Sequence, residues 1–360
     1  MCDKVLILGD IHIGARNSSK IFRQLFREYF RDCVFPLVKE RKIKHIIQLG
    51  DFFDNRNSVT LHDIDYVLSE FIPQLEDTGA MLHVLAGNHD VAYKNTNKVN
   101  SLSLLRTSKQ IRVIDSEIET LSTESKTFVL CPWINNENEE QLTEDMKHYA
   151  TDDHILCGHF EFQGMKMYRH SKLSEHGFHP KDFKKFYKVI SGHFHYPSEY
   201  GNVRYMGSVF HLNWQDHGDK KFIYIFDTNT DEFEAIENPY SLFTEFDYHE
   251  DDVLNLSDGD LKDYCEGQFV RIVIDSDYKR VDLKDLVHRI EKQKPISVDV
   301  IDNTILDSPA VVDQPIELSK TKDLTDYLDE YLKDHEKKDT LLNLFDIIKQ
   351  EAEQKMMEVE

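Results

Sequence analysis

The stretch KVLILGDIHIG, residues 4–14, sets the reading of the chain. Its first half is a short apolar, β-branched run that reads as a strand. It stops at Gly9, directly before two side chains able to hold a metal, Asp10 and His12. IKHIIQLGD at 43–51 repeats the plan and ends in Asp51, with a helical pattern from Lys20 to Glu40 in between. A second helical stripe (Ile64, Leu68, Phe71, Ile72 and Leu75) leads to the strand MLHVLAG at 81–87. Alternating strands and helices predict an α/β core with a largely parallel sheet, whose C-terminal strand ends carry the site.

Further strands are expected at 111–114, 127–131, 154–158 and 188–192, with a solvated acidic helix within 135–153. Residues 203–211 and 221–227 read as a closing pair of strands, followed by an acidic turn from Asp231 to Glu237. Beyond 250, runs at 268–275, 282–293 and 296–302 predict a small strand, helix, strand unit suited to a cap. Residues 306–320, with Pro309 and Pro315, read as a linker, and 321–360 hold two helical patterns.

Composition narrows the function classes. The 360 residues are 40% hydrophobic and 11% aromatic, enough to bury a core and too apolar for global disorder. No apolar run reaches the roughly 20 residues of a membrane span, and the start is too short and acidic for a signal peptide, so a soluble cytoplasmic protein is expected. Five cysteines without a C-x-x-C predict reduced thiols and no structural zinc site. Cys157, inside an apolar strand, reads as a small buried hydrophobe. The formal charge of −23 argues against a nucleic-acid partner, because polyphosphate binding is driven by Lys and Arg. Its distribution weakens the argument: residues 1–200 are nearly balanced, with 25 basic and 28 acidic groups, whereas 201–360 carry 18 and 38.

Five expected strands end alike, with Gly beside metal-capable side chains: Gly9-Asp10-Ile11-His12, Gly50-Asp51, Gly87-Asn88-His89-Asp90, Gly158-His159 and Gly192-His193-Phe194-His195. One such motif is common and usually structural; five in concert are not chance. Parallel strand ends converge on one edge, so these side chains meet there. Two divalent ions about 3.5–4 Å apart need a shared carboxylate, and Asp51, alone on its strand, is the natural bridge. The carboxylate, amide and imidazole mix suits two Mn²⁺ ions, with Mg²⁺ as the alternative. His154, His170, His176, His179 and His211 lack the strand-end glycine and read as structural.

This order of motifs resembles the calcineurin-like metallophosphoesterase superfamily over about residues 4–215. The resemblance implies a β-sandwich flanked by helices and hydrolysis of a phosphoester without a covalent intermediate. It also implies that Asp10, His12, Asp51 and His195 hold one metal and Asp51, Asn88, His159 and His193 the other. His89 would contact the scissile phosphate and help the leaving oxygen, with Asp90 orienting it and Asp54 in support. G-D-x-F-D at 50–54, G-N-H-D at 87–90 and Tyr205-Met206-Gly207-Ser208 are similar to the SbcD-type recombination nucleases, most of all to the compact members of T-even-type bacteriophages.

That likeness implies a nuclease domain at 1–245, an α+β capping domain at 250–305, a linker at 306–320 and a C-terminal helix pair at 321–360 that grips an SMC-like ATPase. It also implies a homodimer, paired through the helix at 61–75 and Leu102, Leu104 and Leu105, acting as exonuclease and single-strand endonuclease on DNA in recombination and break repair. Two stretches offer base to a nucleic acid: residues 16–44, with nine basic and three acidic groups, and Lys166–Lys188, where Tyr168 is interleaved. The competing readings are a metallophosphoesterase for small phosphodiesters or phosphoproteins and a metal-free scaffold protein. Asn55-Arg56 and Asp90 depart from the phosphoprotein phosphatase pattern, and no metal ligand is missing.

Overall fold

The computed structural model describes residues 4–249, 252–276 and 278–305, with Lys338, Leu341 and Phe345 beyond them. The expected linker, and the expected tail apart from those three residues, lie outside the described residues. Four strands, Lys4–Leu8, His45–Gln48, Met81–Leu85 and Ile111–Ile114, run parallel side by side. Phe222–Asp227 and Glu232–Glu237 extend that sheet antiparallel beyond Lys4–Leu8. A second six-stranded sheet has Thr127–Leu130, His154–Gly158, Lys188–Ser191 and Val203–Tyr205 parallel at its centre, with Glu119–Ser122 and Ser198–Tyr200 as antiparallel edges.

The period of two along each strand decides the layering. Val5, Ile7, Ile47, Leu49 and Leu85 share a buried cluster with Phe128, Leu130, Ile155, Cys157 and Ile190, so the sheets face one another. Leu6, Leu8, Ile46, Leu82 and Val84 point the other way, into the helices of 20–40 and 61–78. Val129, Leu156 and Val189 pack with Leu142 and Met146 of the helix Glu139–Tyr149. The result is the two-sheet sandwich flanked by helices that the resemblance implied, rather than the one parallel sheet that alternation alone suggests.

Two helices depart from the expected unbroken pattern in the same way. Lys20–Tyr29 continues to Phe35–Glu40 through one wide π turn, Phe30–Val34. Leu61–Tyr66 continues to Ile72–Thr78 through another, Val67–Phe71. Each turn is followed by a proline, Pro36 or Pro73, whose missing N–H and crowded ring cannot continue an i to i−4 ladder. The two π turns meet, with Phe30 and Phe71 rings 5.1 Å apart. The buried side of the second helix runs through Tyr66, Val67, Phe71, Ile72 and Leu75, and Leu102 and Leu105 are also core. Leu61 and Leu68 are exposed.

The later chain departs from expectation in smaller ways, while the acidic helix falls where it was expected. Of 203–211 only Val203–Tyr205 is strand, the expected acidic turn is the edge strand Glu232–Glu237, and the expected acidic helix is Glu139–Tyr149. A third sheet takes Phe243–Asp247, Phe269–Ile274 and Ser297–Asp302 in that order, with helices Asp258–Cys265 and Arg280–Glu291, one strand and one helix more than expected. Among the described residues, 273–276, 278–279 and 301–305 group as a separate unit, in which Tyr278 donates to Asp302 at 2.7 Å.

Candidate metal centre

The C-terminal ends of five parallel strands, three from the first sheet and two from the second, deliver the expected residues to one edge. Asp10 and His12 follow Lys4–Leu8, Asp51 follows His45–Gln48, and Asn88 and His89 follow Met81–Leu85. His159 follows His154–Gly158, and His193 and His195 follow Lys188–Ser191. Asp10, His12 and His195 bring ligand atoms within 4.8 Å of one another, and so do Asp51, His159 and His193. Asp51 joins the two groups, because one of its oxygens, Oδ2, lies 3.2 Å from His159 Nε2 and 3.8 Å from His12 Nε2.

The backbone is held in uncommon conformations here. His12, Asp51 and His193 have φ of 57°, 54° and 86°, left-handed values that cost L-residues energy and persist only where the surroundings impose them. Gly50, at φ 100°, allows the sharp turn into Asp51. Gly192 serves space instead: a Cβ there would lie 2.6 Å from both Asp10 Oδ1 and the Leu49 carbonyl. Gly192→Ala is expected to lower stability by about 1–3 kcal/mol through overpacking, which thermal unfolding in EDTA measures.

The donor set fits a metal. His159 Nδ1 donates to the Leu49 carbonyl at 2.8 Å, which leaves the Nε2 lone pair aimed at Asn88 Oδ1, 2.9 Å away, and at Asp51 Oδ2. Three acceptors facing each other in a buried site repel unless a cation or an added proton sits among them. His12 Nε2 is likewise buried without a hydrogen-bond partner among the described residues. Without metal, protons take that place. Burial pulls His159 down, but Asp51 and Asp10 outweigh it and bring it to about 9. Burial also pulls His12 down, but the Asp54 carboxylate and then Asp51 and Asp10 carry it to about 9. His193, desolvated and beside His159, is pushed down to about 3 and stays neutral.

A pH dependence follows with a definite sign. Both raised histidines stabilise the metal-free fold below their ordinary value near 6.5, and that contribution is lost as pH rises through about 9. Metal requires the deprotonated rings, so metal affinity runs the opposite way, strengthening up to about pH 9. Near pH 7.5, metal binding that engages both His12 and His159 should release about two protons, which calorimetry in buffers of different ionisation enthalpy reads directly.

The remaining expected residues are placed as follows. His89 donates its N–H to Asp51 Oδ1 at 2.7 Å and holds Nδ1 2.6 Å from the Asp54 carbonyl. The Asp54 carboxylate lies 3.1 Å from His12 Nδ1, giving His12 the carboxylate backing typical of a metal-bound imidazole. Asp90 does not reach His89 as expected. Its buried carboxylate accepts from the N–H groups of Gly87, Phe52 and Phe53 at 2.9, 3.2 and 2.9 Å, and so ties the Asn88 loop to the Asp51 loop.

Three residues escaped the sequence reading. Asp216 is fully buried, 3.3 Å from His195 Nδ1 and 2.8 Å from the equally buried Lys221 Nζ, which also donates to the His195 carbonyl at 3.0 Å. Burial alone would raise Asp216, but His195 and Lys221 hold it well below the carboxylate range. Trp133 puts its ring 5.7 Å from His159 and 5.6 Å from His193. It follows the strand Thr127–Leu130, a sixth strand end at this edge, which lacks glycine and histidine.

The two basic stretches differ. In 16–44, Arg23, Arg27, Arg31, Lys39 and Arg41 pair with Asp63, Glu70, Asp32, Asp77 and Glu234. Arg169, Lys172, Lys181, Lys184 and Lys185 are exposed and have no carboxylate partner among the described residues, and the Tyr168 ring lies 5.2 Å from His195. Among the described residues no helix is long and apolar enough to cross a membrane.

Comparison with known proteins agrees with this geometry. The profile of the family described as Calcineurin-like phosphoesterase matches residues 3–197. Exonuclease subunit 1 of Enterobacteria phage T4 is 34% identical over 237 residues, covering 65% of this chain and 68% of the phage protein. Among solved structures, GAP50, the anchor in the inner membrane complex of Plasmodium, aligns over 66% of this chain and 89% of its own with 12% identity, and its TM-score of 0.38 carries no argument.

Proposed function

Because the chain belongs to the calcineurin-like phosphoesterase family, we propose that it is a two-metal, Mn²⁺-dependent DNA nuclease, working in the cytoplasm as a homodimer with an SMC-like ATPase in recombination and break repair. The observation that carries this reading is the pair of acceptor clusters joined through Asp51 at one strand edge. The 34% identity to a phage exonuclease subunit supports DNA as substrate and a partner subunit. Asp10, His12, Asp51 and His195 would hold one ion, and Asp51, Asn88, His159 and His193 the other. Bound divalent ions supply Lewis-acid neutralisation of phosphoryl charge and a more acidic water.

The chain's own residues do the rest. Asp54 and Asp216 fix the rings of His12 and His195 by facing their Nδ1 atoms. His89, anchored through its N–H on Asp51 and through Nδ1 on the Asp54 carbonyl, carries a proton at Nε2 toward the leaving oxygen. The unpaired basic groups of 169–185 would receive the DNA backbone. Residues 250–305 act as a cap and 321–360 as the ATPase-binding segment.

Purified protein incubated with Mn²⁺ should degrade end-labelled DNA; hydrolysis of a small phosphodiester beside intact DNA would refute the nuclease reading. Deleting 321–360 should abolish co-purification with the ATPase and leave Mn²⁺-dependent cleavage in place. Unchanged association would refute the role of the tail.

A further inference from the structure

Resting on the nuclease reading above, we propose that the cavity beside His159 is a nucleobase pocket, where the indole of Trp133 stacks on an unpaired base adjoining the cleaved phosphodiester. The cavity has a volume of about 380 Å³, within the range of small-molecule sites. Trp133 and His159 form part of its wall, with Asn136, Glu139, Glu161 and Phe178 among the other residues that line it.

Trp133 is built as a fixed platform. Its backbone N–H donates to the Ala86 carbonyl at 2.8 Å, and its own carbonyl accepts from Asn97 Nδ2 at 2.8 Å and Asn138 Nδ2 at 3.1 Å. The indole is half-buried, and its N–H makes no hydrogen bond among the described residues. With its backbone pinned and its ring against those of His159 and His193, the indole is already in place, and a pre-placed aromatic plane binds a second ring with less loss of freedom. Because Trp133 touches the histidines of both the fourth and the fifth strand end, a ring stacked on it belongs to a nucleotide whose phosphate is at the metal edge.

The charge of the lining selects the ligand class. No Lys or Arg lines the cavity, and Glu139 and Glu161 do, so a phosphate would be repelled. Neither carboxylate belongs to a metal-capable cluster among the described residues, and Glu161 already accepts from Ser174 Oγ at 2.8 Å. A neutral ring with amino donors satisfies the site: it stacks on the indole, and the exocyclic amine of cytosine or adenine meets carboxylate or amide oxygen. Bases inside a duplex are covered by their neighbours, so the pocket requires an unpaired nucleotide.

The test compares a single-stranded oligonucleotide with one carrying abasic residues at both termini, in Mn²⁺. The wild type should cleave the base-bearing strand at least about 10-fold faster. Trp133→Ala should lower cleavage of that strand roughly 10- to 100-fold, leave the abasic strand within about twofold, and bind the same amount of Mn²⁺. Trp133→Phe, which keeps a ring, should retain most of the preference and serves if the alanine variant fails to fold. In a Trp214→Phe background with Ca²⁺ in place of Mn²⁺, a short oligo-deoxycytidine should quench the fluorescence of Trp133. Equal cleavage of both strands by the wild type, or unquenched fluorescence, overturns the pocket and leaves the nuclease reading intact. Failure to cleave either strand overturns both.

Discussion

Asp51→Asn should reduce DNA cleavage by roughly 10²–10⁴-fold, because breaking a buried charge pair costs roughly 3–5 kcal/mol, and bound Mn²⁺ should fall from two ions to at most one. The substitution is nearly isosteric, so the expectation isolates charge. Asp51 Oδ2 lies near both His159 Nε2 and His12 Nε2, and Oδ1 accepts the His89 N–H. An amide keeps one acceptor oxygen but no net charge, and its NH₂ would replace an oxygen aimed either at the metals or at a backbone donor. Metal analysis with a cleavage assay checks both parts; an Asp51→Asn protein that retained two ions and ordinary activity would remove Asp51 from the bridging position.

His89→Gln should separate chemistry from metal binding, with a fall in kcat of about 10²–10⁴-fold and an unchanged metal content. His89 stands outside the two clusters joined by Asp51, and its Nδ1 is committed to the Asp54 carbonyl, which leaves Nε2 to handle the proton. A third grouping, His12 with Asp54 and His89, is close enough to hold an ion. Loss of metal on His89→Gln would therefore mean that this grouping is a real site and that His89 is a ligand rather than a proton donor.

The parts of the molecule that were readable in advance share one property: a local pattern carries them. Strands such as Lys4–Leu8 and His154–Gly158 are short apolar runs that end in glycine, and the side chains after those glycines are the ones that converge. Sheet membership was not readable from alternation. Nothing in the run 127–131 says that it faces the first sheet instead of extending it; the resemblance supplied the sandwich. The π turns were hidden because Pro36 and Pro73 sit inside otherwise regular apolar periodicity, where a wide turn preserves the face.

Asp216 was hidden for a different reason. Its role depends on a contact across 21 positions of sequence, in an irregular stretch with no strand end to mark it. The expected pairing of Asp90 with His89 failed because adjacent residues in a tight loop diverge: the backbone donors of Gly87, Phe52 and Phe53 claim the carboxylate first.

The division of the centre between two sheets has a consequence for how the protein comes into being. Asp10, His12, Asp51 and Asn88 are translated before His159, His193 and His195, which come from the opposite layer. During synthesis the early residues expose carboxylates with no imidazole from the second sheet to face them. The centre cannot assemble before His195 has left the ribosome and its sheet has closed over the first, so an incomplete chain is a phosphoesterase only in its amino-acid order.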